Sequence, residues 1–357
     1  MPPGTRVVAA MSGGVDSAVA TALLRAAGFD VVGVSMRLGA SSWRADGHAG
    51  CCSLDDFEDA RRCAERLGVP HYVVAFREAF AARVVSPFAA DYLRGRTPNP
   101  CVACNRDLKF DALWEWARAI GAAAVATGHY ACIEGTPEDG FELRAAADPA
   151  KDQSYFLFTL GQAELARTLF PVGGLAKCEV RAIAGALDLP VARKPESQDI
   201  CFVAGRRYDE VVQEIAGAEA IRPGRILDED GREIGRHDGI HRFTVGQRRG
   251  LGGGAAEPRY VASIDPSSGD VVAAPRRALA RGGFTVSDPR WTGGEHRGPA
   301  RVRLRHRHEP VACTVEPRGE RVRVQFDSPS PGVTPGQAAV FYDGDRVLGG
   351  GWVESEA

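Results

Sequence analysis

The chain has 357 residues, too many for one small core, so two or three domains are expected. It is 44% hydrophobic and 25% charged with a formal net charge of −2, a globular composition that excludes a uniformly basic nucleic-acid binder and leaves room only for a local basic patch. Residues 1–11 lack the apolar core of a signal peptide and no run approaches the ~18 apolar residues of a membrane span, so a cytoplasmic protein with no membrane partner is expected.

From residue 6 to about 129, apolar runs at 7–10, 30–36, 71–76 and 122–127 alternate with helical stretches that include 18–27, 54–67 and 109–120. That alternation predicts a doubly wound parallel α/β sheet. Between the first run, which ends at Ala10 and Met11, and the first helix lies Ser12-Gly13-Gly14-Val15-Asp16-Ser17. The two glycines let backbone N–H groups approach an anion, and the helix N-terminus adds partial positive charge, so the stretch reads as a phosphate cradle. No lysine follows, so it is not a Walker A loop, and the bland alternative is an ordinary Gly-Gly turn. Ligands of such sheets bind beyond the carboxyl ends of the strands, where this loop, the segment after Met36, and Thr127-Gly128-His129-Tyr130 all fall. Met36 suits an adenine pocket as a soft apolar wall and Gly128 as a close backbone approach.

Basic residues number 44, of which only Lys109, Lys151, Lys177 and Lys194 are lysines. Each therefore points to a position where Arg would not serve. Nine cysteines without a secretory signal argue for reduced thiols with metal or catalytic duties rather than a disulfide framework. Residues 39–53 form a long loop carrying Cys51 and Cys52, for which no role emerges. In Thr97-Pro98-Asn99-Pro100-Cys101-Val102-Ala103-Cys104-Asn105 the two prolines are expected to hold the chain extended, presenting Cys101 and Cys104 from a loop. C-x-x-C suits redox, zinc or iron–sulfur work, but zinc needs four ligands and no second C-x-x-C occurs. A hairpin over 131–146 then leads to Lys151-Asp152-Gln153-Ser154-Tyr155-Phe156, and helical patterns follow at 162–169 and 177–187. Cys201 lies in an apolar triplet near Asp199 and Lys194, an environment that sets how much thiolate is present.

Past Phe202 hairpin signals replace the α/β pattern, with runs at 225–228 and 232–235 and at 260–264 and 271–274. The domains expected are 1–205, a nucleotide-binding catalytic unit; 206–275, a small central β-rich domain with a loop at Gly252–Gly254; and 276–357, a compact β-barrel built on runs at 300–307, 310–316, 321–326, 337–342 and 346–353. Between Arg276 and His308 nine arginines face only Asp288 and Glu295. As a strand, 301–307 would set Arg301, Arg303, Arg305 and Arg307 on one face about 7 Å apart, a ridge suited to a phosphate backbone.

Taken together, SGGVDS, TGHY, the TPNP-x-x-x-CN loop, KDQSYF, S-x-x-ICF, GQRRGL (246–251) and PGQAAVFY (335–342) occur in one order along nearly the whole chain. This resembles the tRNA-specific 2-thiouridylase family, built on a pyrophosphatase-type loop that cleaves ATP at the α-phosphate. The resemblance implies replacement of the C2 oxygen of a tRNA wobble uridine by sulfur, with ATP and Mg²⁺ as cofactors. It implies ATP on Ala10 to Ser17, Met36 and Gly128. It places Asn99, Pro100, Cys101, His129, Lys151, Asp152 and Gln153 around the target base, and Arg305, His306 and Gln337 against the tRNA. By motif position Cys201 matches the persulfide carrier and Cys104 the second catalytic cysteine; either the terminal persulfide sulfur attacks C2 and Cys104 resolves the remaining sulfur, or Cys104 first frees hydrosulfide that then attacks, and both routes end in a transient Cys104–Cys201 disulfide. A persulfide donor, either a cysteine desulfurase or a relay protein, and an external reductant are the implied partners.

The chain departs from the family at Cys101, where an Asp regarded as the general base often stands. A thiol with an ordinary pKa near 8.5 is a weaker base, and Asp199 is the candidate substitute. Alternatively Cys101, Cys104 and Cys201 ligate three irons of a [4Fe–4S] cluster whose open iron binds hydrosulfide. The competing readings are an amidotransferase-type synthetase that adenylates a small molecule, and a non-catalytic RNA-binding or redox protein.

Overall fold

A computed structural model describes residues 1–39, 54–196, 200–203, 205–251 and 257–354. The loop carrying Cys51 and Cys52, Asp199, and the Gly252–Gly254 run lie outside them. The chain divides into two compact units, one made of Met1–Arg83, Cys101–Arg206 and Asp345–Val347, the other of Val84–Pro100, Arg207–Gly344 and Leu348–Ala357.

The first unit is a five-stranded parallel sheet, formed by β1 (Arg6–Ala10), β2 (Asp30–Arg37), β3 (His71–Ala75), β4 (Ala124–Ala126) and a short strand, Thr168–Leu169, in the spatial order β3-β2-β1-β4 and then the short strand. All neighbours are parallel. Val7 and Val8 of β1 are both fully buried, because a central parallel strand is covered on both faces and reads as a continuous apolar run rather than an alternating one. Helices α1 (Val15–Ala26) and α2 (Leu54–Leu67) and a helix at Lys177–Ala186 pack on this sheet through Val19, Ala64, Val180 and Ala184. Successive strands leave β1 in opposite directions, so the crevice at the carboxyl ends of β1 and β4 is the topological switch point of the sheet.

Two expectations for this unit are corrected. Residues 162–169 do not form one helix: the helix covers Gln162–Leu165, and Thr168 turns its hydroxyl onto the Glu164 carbonyl (2.7 Å) and pairs with β4 as the edge strand. Cys101 and Cys104 are not on an extended loop. They sit in α3 (Pro100–Cys104), which continues through a π-helical stretch, Asn105–Ala112, into α4 (Leu113–Ala119). Pro100 opens this run because its fixed φ and missing N–H suit the first helical position. The predicted hairpin is present as Cys132–Thr136 against Gly140–Arg144.

The second unit contains a four-stranded sheet (Gly224–Leu227, Glu233–His237, Arg259–Ile264, Val271–Pro275) and a closed antiparallel barrel. A helix at Tyr208–Ala216, ahead of this sheet, was not expected from the hairpin signals; Tyr208 stacks on Tyr92 with centroids 4.9 Å apart. The barrel is closed by an eleven-residue strand, Arg281–Trp291, that sequence patterning also missed. It pairs with both Arg321–Ser330 and Arg346–Val353, through a register shift between Ser287 and Arg290 where Asp288 takes a positive φ of 46°. That bulge, with Pro289 inside the strand, hides the alternation of Phe284 and Val286.

The arginine ridge is not formed. The strand is Gly298–Arg303, and the chain then turns, with His308 N donating to the Arg305 carbonyl (3.0 Å) and Leu304 buried beneath. Arg303 lies over the Tyr342 ring (4.9 Å), and Arg305 donates to Thr334 Oγ1 (3.1 Å). Phe341, fully buried and stacked on Trp291 at 5.9 Å, is the centre of the barrel core. Phe341→Ala should lower stability by about 3–5 kcal/mol in chemical denaturation; a loss under about 1 kcal/mol would show that the core does not close around this ring.

Candidate active site

The crevice of the first unit holds a pocket of about 260 Å³. It is lined by apolar Val34, Met36, Leu38 and Phe57, by Ala10, Met11, Ser12, Asp16 and Ser17 of the glycine loop, and by Lys109, Thr127, Gly128, His129 and Gln153.

The phosphate-type loop is built from inside. Ser12 N–H donates to Ser17 Oγ (3.2 Å), which itself donates to the Gly14 carbonyl (3.0 Å), and Gly14 is the N-cap of α1. Gly13 has φ +75°, and a Cβ there would meet the Asp56 carbonyl oxygen at 2.2 Å, so no other residue fits. Gly128 is pressed against the same turn: its Cβ would lie 2.6 Å from Ser17 N and 2.7 Å from Asp16 C. The loops after β1 and β4 therefore touch backbone to backbone. Gly128→Ala should push them apart, weakening binding of ATP, the nucleotide expected from the sequence, at least tenfold in calorimetry. Unchanged affinity would show that the contact does not shape the pocket.

Asp16 places a carboxylate in an anion site, and two other segments neutralise it. Lys177 Nζ donates to both its oxygens (2.6 and 2.9 Å) and the Tyr130 hydroxyl to Oδ1 (2.7 Å). Burial and this bond to Asp16 push the Tyr130 phenol far up, so it stays a donor. Lys177 also pairs with Glu196 (2.7 Å), whose other oxygen accepts from Lys151 (2.6 Å). Burial raises the Glu196 carboxyl, yet the bonds from Lys151 and Lys177 win and hold it at about 2. On the other side of the loop Lys194 reaches the Gly13 carbonyl (3.0 Å), Asp56 (2.8 Å) and Asp59 (2.6 Å).

His129 is 8% exposed, enclosed by Phe110 and Phe170 at 6.1 and 5.9 Å. Thr127 Oγ1 accepts from His129 N–H (3.3 Å) and lies 2.6 Å from Nδ1, while Lys109 Nζ is 3.4 Å from Nε2. Desolvation and then the Lys109 charge drive the ring well below the ordinary histidine range, so it is neutral. The arrangement consistent with every contact has Nδ1–H donating to Thr127 and Nε2 accepting from Lys109. Because the folded ring refuses a proton that the unfolded one takes near pH 6.5, its contribution is complete above that pH and is lost as pH falls toward 5. Replacing His129 with Gln should therefore flatten the decline in stability between pH 7 and 5, by up to about 1.4 kcal/mol per pH unit. Parallel curves for variant and wild type would mean that the folded ring is protonated.

The expected base-contacting residues are distributed as follows. Gln153 lines the pocket, with its Oε1 accepting from Tyr130 N–H (3.0 Å). Asp152 is 6% exposed and its carboxylate accepts from Ala146 N–H, Ser154 N–H and Ser154 Oγ, so it braces its own loop. Cys101 is exposed on α3, and Cys104 and Cys201 are half-buried in the first unit. Asn99 and Pro100 fall in the second unit, as do Arg305, His306 and Gln337. There Gln337 Nε2 donates to the Thr97 carbonyl (2.8 Å), Thr97 N–H to the Pro335 carbonyl (2.8 Å), and Thr97 Oγ1 to Thr244 (3.1 Å). The TPNP segment, the start of the GQRRGL loop and the PGQ loop are thus bound together. Sequence reading did not name Lys109, Lys177, Glu196 or Phe57 as site residues, though the scarcity of lysine pointed at the first two. No group of three or more His, Cys, Asp or Glu is gathered as metal ligands among the described residues. Nor is any described helix long and apolar enough to cross a membrane.

A parallel α/β sheet with a lysine-free Gly-Gly anion loop at its switch point defines a pyrophosphatase-loop nucleotide-binding protein, here followed by a β-barrel. The family model described as tRNA methyl transferase HUP domain matches residues 5–205, the PRC-barrel domain of the same description 210–275, and an aminomethyltransferase beta-barrel domain 281–353. The chain is 48% identical to the tRNA-specific 2-thiouridylase MnmA of Geotalea uraniireducens (strain Rf4), over 98% of this chain and 95% of that one. It is 47% identical to that of Geobacter metallireducens (98% and 97%) and 48% to that of Chloroflexus aggregans (97% and 98%). The chain belongs to the tRNA-specific 2-thiouridylase family.

Proposed function

We propose that this protein is a tRNA 2-thiouridylase that adenylates the C2 oxygen of a wobble uridine and then replaces that oxygen with sulfur. The observation that carries the reading is the pocket itself. A phosphate-type loop, an apolar wall and a buried neutral histidine share one crevice in a chain of this family.

A uridine C2 oxygen is a poor leaving group. Attack of that oxygen on the α-phosphate of ATP expels pyrophosphate and leaves AMP on C2, which sulfur can displace. Met36 and Phe57 suit the adenine, and the amides of Ser12 to Ser17 suit the phosphates, since such transfers depend on positioning and charge neutralisation. Asp16, the carboxylate lining the pocket, would help hold a Mg²⁺ ion there, which would offset phosphate charge. The target base leaves its stack to enter. Asn99, Pro100, Cys101, His129 and the Lys151–Gln153 segment are assigned to the base, and Arg305, His306 and Gln337 to the tRNA. The Gln337 amide acts by fixing the TPNP segment as much as by touching RNA.

In the sulfur step Cys201 carries a persulfide from a donor protein. Its terminal sulfur attacks C2 and displaces AMP, and Cys104 then attacks Cys201 Sγ. This frees the thiocarbonyl and leaves a Cys104–Cys201 disulfide for an external reductant.

The test is to replace Cys104 and Cys201 separately with Ser and follow tRNA-dependent pyrophosphate release and nucleoside mass. Both variants should release pyrophosphate at near the wild-type rate and lose thiolation at least a hundredfold. A methylated nucleoside in place of a thiolated one, or thiolation by Cys201→Ser at the wild-type rate, would overturn the assignment.

A further inference from the structure

Three of the four lysines in this chain are held by carboxylates: Lys151 by Glu196, Lys177 by Asp16 and Glu196, and Lys194 by Asp56 and Asp59. Lys109 is different. Its partner is the neutral His129 ring, and among the described residues no carboxylate pairs with it. It is also the one Lys or Arg among the described residues lining the nucleotide pocket, which Ser12 and Ser17 of the loop line as well.

An ammonium held half-buried without a counter-charge is costly unless an anion is to arrive. The surroundings hold it in place rather than neutralise it. Thr127 fixes the histidine ring so that Nε2 faces Lys109 as an acceptor, and a neutral acceptor orients the ammonium without cancelling its charge. Backbone winding contributes as well. Lys109 lies within the π-helical stretch Asn105–Ala112, where hydrogen bonds join residues five apart. Lys109 therefore falls roughly one turn on from Cys104, on the same side of the run; α-helical winding would rotate the two about 140° apart.

Resting on the thiouridylase reading above, we propose that Lys109 is a catalytic residue of the adenylation step, its ammonium taking up the charge of the α-phosphate as the uridine C2 oxygen bonds to phosphorus. In that step the Pα–O bond to pyrophosphate breaks, the electron pair leaves with pyrophosphate, and the uridine N3 proton goes to water. His129 is a positioning residue that acts through Lys109. A preorganised cation aimed at developing charge is worth roughly 10²–10³ in rate.

The experiment compares Lys109→Met with wild type at saturating tRNA, measuring pyrophosphate release against ATP concentration, thiouridine formation and the thermal unfolding midpoint. The variant should unfold within a few degrees of wild type, and its kcat for pyrophosphate release should fall about a hundredfold while KM for ATP rises less than tenfold. His129→Gln, whose amide oxygen can also accept from Lys109, should lower kcat for pyrophosphate release less than His129→Ala does. Lys109→Met with a wild-type kcat and a raised KM would overturn the proposal by making Lys109 a ground-state binding group. Normal pyrophosphate release with slow thiolation would overturn it in favour of a role beside Cys104. Should Lys109→Met fold poorly, Lys109→Gln replaces it with the same criteria. If the wild type itself releases no pyrophosphate with tRNA, it is the thiouridylase reading that fails; a wild type that does so and a variant that matches it sink this inference alone.

Discussion

The structure of the first unit depends on one electrostatic constraint: the anion-binding loop carries its own carboxylate. Asp16 sits in the first turn of α1, where it favours the helix dipole but opposes any phosphate that approaches the loop. Lys177 and Tyr130 neutralise it, Lys177 is shared with Glu196, and Glu196 is shared with Lys151. Five segments far apart in the chain are thereby tied at one point: the SGGVDS loop, the TGHY turn, the KDQ cluster, the start of the helix at Lys177, and the stretch leading to Cys201. These contacts are only partly exposed, so solvent screens them less than it does the many arginine pairs on the surface.

That constraint explains the division of labour between the two basic residue types. Arginine with its fixed fork dominates exposed pairs such as Arg225–Asp270 and Arg61–Glu58, where a planar bidentate contact is enough. Lysine occurs where one compact charge must reach several oxygens at different angles, as Lys194 does with the Gly13 carbonyl, Asp56 and Asp59.

The second unit shows the same economy by different means. Gly336, at φ +88°, lets its loop approach Thr97 so closely that a Cβ would lie 2.9 Å from the Thr97 nitrogen, and Gln337 then holds the Thr97 carbonyl. Arg305, Thr334 and the Val245 carbonyl add a second set of contacts beside it. A segment that looks like an unsupported proline loop is therefore held on several sides, and its prolines serve the start of α3 as well as the rigidity of the turn.

Much of this was legible in the chain alone, for reasons that are local. The Gly-Gly loop between an apolar run and a helix, the parallel order of the first four strands, the hairpins of the central sheet and the motif set of the family depend on neighbours in sequence, where period and turn chemistry speak directly. The extended loop expected for Cys101 and Cys104 was wrong because Pro100 opens a helix as readily as it stiffens a loop. The ridge expected at 301–307 was wrong because the buried Leu304 and the turn after it break an alternation that looks regular. What only the tertiary structure decided is the state of each charge. Lys177 meets Asp16 from 161 residues away and Lys194 meets Gly13 from 181, whereas Lys109 meets a histidine 20 residues on and no carboxylate among the described residues. Composition could mark four lysines as unusual. Only the fold, by bringing distant carboxylates to three of them, could leave the fourth uncompensated beside the phosphate loop.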